Sequence, residues 1–111
     1  KEFKENLKLL IRKAKKYAEE IILIGSMPVD KRVDPMPWAP GRSYRNEYVG
    51  RYNEILNDVS KKEKVHFIEV FKKFIHIDYS SLLVDGVHMN DEGHKKLYEL
   101  VRDYLLEKKL I

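Results

Sequence analysis

Asp85 and His88 are the residues of this 111-residue chain whose types and spacing point most directly to chemistry. A carboxylate three residues before an imidazole, in a loop that opens a helix, is the arrangement of a general base with its orienting acid. When such a carboxylate accepts the Nδ1 proton, the other ring nitrogen is left unprotonated and able to take a proton from a hydroxyl nucleophile. Asp-Gly is also a common turn pair, and an Asp ahead of a helix is often only a cap. The elements around the pair therefore have to decide its role.

Residues 2 to 18 carry Phe3, Leu7, Leu10, Ile11, Ala14, Tyr17 and Ala18 at three- and four-residue intervals, which predicts an amphipathic helix. Ile21 to Ile24 follow as an unbroken apolar run closed by Gly25, the pattern of a strand buried on both faces of a parallel sheet. Four prolines between Pro28 and Gly41, the last of them Pro40, predict a long loop. A second helix is expected from Ser43 or Tyr44 to Ser60, with Tyr44, Tyr48, Val49, Tyr52, Ile55, Leu56 and Val59 as its inward stripe. A second strand is expected over Val65 to Phe71. The irregular stretch His76 to Val84 then delivers the chain to Asp85. A last helix begins at about Asp91, capped by Asn90 or Asp91, and buries Leu97, Leu100, Val101, Tyr104 and Leu105. Helix, strand, loop, helix, strand, loop, helix is an α/β pattern with two adjacent parallel strands. Sheets of this type bind ligands at the carboxyl ends of their strands, where both the Pro-rich loop and the Asp85 loop begin.

The ordered segments IILIGSMPVD, YRNEYVGRYNEIL, VHFIEVF and SLLVDGVHMNDEGHKKLYELVRDYL resemble the C-terminal half of an SGNH (GDSL-type) hydrolase. In that family an Asp-x-x-His pair near the C-terminus completes a Ser-His-Asp triad, and the resemblance maps it onto Asp85 and His88. It implies a flavodoxin-like three-layer fold with a parallel sheet, ester substrates of small-molecule, carbohydrate or lipid type, and no cofactor. The family's Gly-Asp-Ser and Gly-x-Asn-Asp motifs, which hold the nucleophile and the oxyanion donors, do not occur in the chain. Residues 1–111 are therefore expected to be the C-terminal portion of a single domain, with the N-terminal strands and the nucleophile in a missing N-terminal half; the sequence opens at Lys1 rather than Met. One departure from the family is Met89, where proline is usual. It loosens the turn after the base and removes no catalytic atom.

Composition narrows the alternatives. At 43% hydrophobic residues the chain can supply a modest core. Its longest apolar run, Ile21 to Ile24, is far short of the roughly 18 residues of a membrane span. The absence of cysteine excludes disulfides and thiolate metal sites and is compatible with the cytoplasm, although localisation stays open. The net charge of +4 invites a nucleic-acid reading. Because acidic residues are interspersed among the lysines, the pattern is that of a mixed-charge solvated surface, and no nucleic-acid partner is expected.

Other candidates are weaker. Ser26 ends a buried strand in ILIGSM, but the Asp of a Gly-Asp-Ser motif is missing, so closing the strand is its expected role. His94 follows Gly93 in the first turn of the last helix and reads as structural, satisfying nearby polar groups. A metal site built from His88 and His94 lacks further ligands, and none is expected. His66 and His76 are expected to face solvent or a crevice. Trp38, with Met36 and Tyr44 among prolines on the rim, is the candidate substrate-binding residue. Arg42 and Arg45 are ordinary surface arginines that could meet an anion. The rival to an esterase is a non-catalytic binding module with a basic surface and an aromatic loop.

Overall fold

The computed structural model describes residues 2–39 and 41–111; Lys1 and Pro40 lie outside the described residues. Helix α1 (Glu2–Ala14) has acidic residues in its first turn and basic residues in its last, as the helix dipole favours, and buries Leu7 and Ile11. It stops four residues short of the expected end. The Lys16 N–H donates to Lys13 O and the Tyr17 N–H to Ala14 O, so the chain tightens into a turn. Lys15 Nζ donates to the carbonyl of Glu63, the last residue of the neighbouring helix. Past that point Tyr17 is 90% exposed.

Strands β1 (Ile22–Ile24) and β2 (His66–Ile68) pair in parallel, with Ile22 opposite His66, Leu23 opposite Phe67 and Ile24 opposite Ile68. Period-2 alternation divides their side chains between two cores. Leu23 joins Leu7 and Ile11 of α1 and Ile55, Leu56 and Val59 of helix α2 (Asn46–Glu63). Ile22 and Ile68 join Val70, Phe74, Leu82 and the half-buried Leu97, Leu100, Val101 and Tyr104 of helix α4 (Asp91–Glu107). Helices therefore cover both faces of a small parallel sheet, as the alternating pattern of elements predicts.

The second strand is shorter than the expected Val65 to Phe71. Glu69 ends it by turning its carboxylate to two donors, the Asn53 amide at 3.0 and 3.2 Å and the Lys72 N–H at 3.1 Å. The latter caps a single helical turn, α3 (Phe71–Phe74), which takes the last residue of the predicted strand. Asn53 Oδ1 is buried without a hydrogen-bond partner among the described residues and faces Gly25, where a Cβ would stand 2.9 Å away. Glycine at the end of β1 thus permits the close approach of α2 to the sheet.

Helix α2 starts two residues later than expected from Tyr44, because the Tyr44 N–H is held by the carbonyl of Val33. Its inward stripe also differs. Tyr44, Tyr48 and Tyr52 are exposed and Asn53 and Ser60 are buried, while Val59 is buried as expected. The helix ends on Lys64 in the left-handed conformation, φ 57°, with the Val65 N–H returning to Ser60 O at 2.9 Å. The Pro-rich loop contains a 3-10 turn over Lys31–Val33 and a core of its own, where Val29, Val33 and Met36 pack with Ala39, Val49 and Val87. Among the described residues, no helix is long and apolar enough to cross a membrane.

Candidate active site

The loop after the second sheet strand returns on itself before α4. Leu83 and Met89 form an antiparallel bridge, and the Val84 N–H donates to His88 O at 2.7 Å. The turn enclosed by these contacts holds Asp85, Gly86 and Val87. Gly86 has φ 98°, a conformation that disfavours any side chain, and a Cβ there would meet Asp30 Oδ1 at 2.6 Å. Asn90 closes the far side: its Nδ2 donates to Ser81 O at 2.8 Å and its Oδ1 accepts the Gly93 N–H at 2.9 Å, which makes it the cap of α4. Gly93 lets that helix start pack closely, since a Cβ would come within 2.5 Å of Leu82 O.

Within this frame Asp85 uses both carboxylate oxygens. Oδ1 accepts the backbone N–H groups of His88 at 2.8 Å and Val87 at 3.0 Å, and Oδ2 lies 2.7 Å from His88 Nδ1. The His88 backbone N–H, then the imidazole, then the Val87 N–H stabilise the charged carboxylate and hold its pKa down at about 2. An ionised Asp85 at neutral pH selects the Nδ1–H tautomer of His88. Nε2 then carries the lone pair; it has no hydrogen-bond partner among the described residues, and the His88 side chain is 73% exposed. The second ring nitrogen thus faces outward from the turn.

The structure thus brings Asp85 and His88 into the contact their spacing suggests. Trp38 is 54% exposed on the Pro-rich loop, while its neighbour Met36 turns into the loop's core rather than extending an aromatic surface. His94 is exposed, and the close packing expected of the Gly93–His94 pair is carried by Gly93. His66 does not simply face solvent: Nε2 lies 2.9 Å from Glu20 and Nδ1 3.0 Å from the Tyr104 hydroxyl. Arg45 is engaged with Asp34 at 3.0 Å.

The chain has five serines and neither threonine nor cysteine. The hydroxyls of Ser60, Ser80 and Ser81 donate to Asn57 O, Asp30 Oδ2 and Asp78 O, and Ser43 stands beside the Asp34 carboxylate. Ser26, at the end of β1, lines an open groove of about 890 Å³ together with Gly25, Met27, Val87 and Met89. Among the described residues no cluster of three or more His, Asp or Glu side chains is placed to hold a metal ion.

Sequence reasoning missed Asp30 and Arg32. The Asp30 N–H donates to Gly86 O at 3.0 Å and its carboxylate accepts the Ser80 hydroxyl at 2.7 Å, so the loop after β1 is bonded directly to the turn that carries Asp85. The model of the GDSL-like Lipase/Acylhydrolase family matches residues 1–96, a span that includes Asp85 and His88. No curated protein matches the chain.

Proposed function

The chain belongs to the GDSL-like lipase/acylhydrolase family, and from that premise we propose that Asp85 and His88 are the acid and base of a Ser-His-Asp triad in a serine hydrolase that cleaves ester bonds. The observation that carries this reading is the 2.7 Å contact of Asp85 Oδ2 with His88 Nδ1, with Nε2 left open to its surroundings. In the reaction, a serine Oγ attacks the acyl carbonyl while His88 Nε2 takes the hydroxyl proton and passes it to the leaving alcohol. Water, deprotonated by the same nitrogen, then releases the acid and regenerates the serine. Asp85 holds the tautomer throughout and stabilises the transient imidazolium.

The nucleophile and the oxyanion donors lie outside residues 1–111, in an N-terminal part of the same flavodoxin-like domain that supplies further strands. Two observations support this. Three of the five serine hydroxyls donate to internal acceptors and a fourth stands beside a carboxylate. Among the described residues strand β1 is paired on one edge only, with Ile24 49% exposed and an apolar groove at its end. Trp38, exposed on the loop that follows β1, is the proposed wall for the acyl or alcohol part of a small-molecule, carbohydrate or lipid ester.

Hydrolysis of p-nitrophenyl acetate tests the proposal. Residues 1–111 alone are expected to give background turnover only, and co-expression with the preceding part of the domain is expected to restore it. Turnover by residues 1–111 alone that Ser26→Ala abolishes would place the nucleophile at Ser26 and overturn this assignment.

A further inference from the structure

The Asp85–His88 contact spans only three residues, and a turn of that size does not hold its own orientation against the rest of the molecule. Besides the Leu83–Met89 bridge and the Asp30 N–H to Gly86 O bond, the side chain of Arg32 ties it to the loop after β1. Its Nη1 donates to Val84 O at 3.1 Å, and its Nη2 to Ser80 O at 3.3 Å and Leu83 O at 3.4 Å. Three carbonyls on the approach to Asp85 therefore converge on one guanidinium. The fork is itself locked: Nε lies 3.0 and 3.1 Å from the two oxygens of Asp30, and Nη2 2.7 Å from Oδ2. Asp30 in turn accepts the Arg32 N–H at 2.9 Å and caps the 3-10 turn, so the pair is rigid at its base as well as at its tip.

We propose that Arg32, oriented by Asp30, is a positioning residue for the base: by gathering the carbonyls of Ser80, Leu83 and Val84 it sets the direction in which the Asp85–His88 pair presents Nε2. The inference rests on the reading of His88 as the base and adds a residue that acts through it. The fixed five-donor fork of arginine suits the task, because a lysine could keep the charge beside Asp30 but could not serve three carbonyls and a carboxylate together. Gly86 belongs to the same design. Its missing Cβ is the space that Asp30 and the Arg32 stem occupy, at 2.6 and 2.9 Å. The Arg32 and Asp85 charges also attract one another.

The test uses residues 1–111 with His88 observed directly by nitrogen-resolved NMR, a readout that needs no turnover. In the unsubstituted chain the Nδ1–H tautomer should dominate and the Val87 and His88 amide protons should exchange slowly. Arg32→Ala is expected to erode the tautomer preference and to speed exchange of those two amides by about tenfold or more, with Arg32→Lys intermediate. Arg45→Ala, which breaks the neighbouring ion pair with Asp34, should change neither. Should Arg32→Ala fail to fold, Arg32→Lys and Asp30→Asn carry the same comparison. An Arg32 variant with the original tautomer and exchange, or an Arg45 variant with the same losses, would overturn the proposal. In the complete hydrolase, Arg32→Lys should lower kcat by about 10- to 100-fold with little change in KM, the signature of a misdirected group rather than a lost binding contact. Full activity in His88→Ala would remove the triad reading while leaving the effect of Arg32 on the His88 tautomer intact, so the two failures are distinguishable.

Discussion

His88 and His66 each stand beside a carboxylate, Nδ1 at 2.7 Å from Asp85 in one case and Nε2 at 2.9 Å from Glu20 in the other. The second nitrogen separates them. In His66 it meets the Tyr104 hydroxyl at 3.0 Å, so the imidazole joins the segment before β1, the start of β2 and the last turn of α4, with the Tyr104 ring packed edge-on against it. In His88 it meets nothing among the described residues, and the side chain is 73% exposed against 28% for His66. An imidazole with both nitrogens engaged is a brace between elements, whereas one held by a single nitrogen keeps a lone pair for chemistry. The carboxylate–imidazole contact alone does not tell these roles apart.

Substitution at the two histidines should separate activity from stability. In the complete hydrolase, His88→Ala should lower turnover by about 10⁴- to 10⁶-fold and Asp85→Asn by about 10²- to 10⁴-fold. The double variant should turn over scarcely more slowly than His88→Ala, because the carboxylate acts in the reaction only through the imidazole; thermal unfolding should barely change in His88→Ala. Additive losses in ester hydrolysis would break the comparison by giving Asp85 a role of its own.

At the brace the pattern reverses. His66→Phe keeps the ring volume and loses both hydrogen bonds, so it should cost about 1 kcal/mol in denaturant unfolding and leave kcat/KM within about twofold. Loss of turnover without loss of stability would make His66, and not only His88, part of the chemistry.

Acid sharpens the contrast on the side of Asp85. Its pKa is lower in the folded chain, at about 2, than the value near 4 expected when unfolded. Its contribution is therefore present above the ordinary carboxylate range and is lost as pH falls from about 4 towards 2. Asp30 is lowered as well, chiefly by Arg32, and acts in the same direction. Asp85→Asn should flatten the acid limb of the stability curve in that window, measured by chemical unfolding at successive pH values; an unchanged limb would show that the carboxylate is not held as described.

The smallest expected change is at the rim. Trp38→Ala should raise KM a few-fold for esters with bulky acyl or alcohol groups and leave kcat for acetyl esters unchanged. Equal KM values for all esters would remove Trp38 from the substrate wall.

What could be read from the residues alone follows the range of the interactions. Asp85 and His88 are three apart, so their contact is written in local spacing, as is the cap at Asn90. Helical periodicity finds the buried Leu7 and Ile11 of α1 and the half-buried stripe of α4, but not that Phe3 and Leu10, on the expected stripe of α1, are exposed. Local pattern misleads where a polar side chain intervenes: Glu69 turns from β2 to cap the next helical turn, and Asn53 replaces a predicted tyrosine on the inner face of α2. Arg32 was invisible for a further reason. Its targets are backbone carbonyls 48 to 52 residues away, and a carbonyl is present at every position, so no residue type announces the contact. The His66 brace, with partners 46 and 38 residues distant, is hidden for the same reason of separation.

That separation should let the direction of His88 and the helices be lost at different temperatures. The helices are held by their own backbone ladders and nearby cores, whereas the direction of His88 is kept by a clasp between segments far apart in the chain, which opens at little cost to either. On gentle heating the imidazole should lose its bearing while far-ultraviolet dichroism still reports intact helices. On cooling it should regain that bearing only after the sheet has brought the two segments together, so the chemistry is the last property of the fold to arrive and the first to leave.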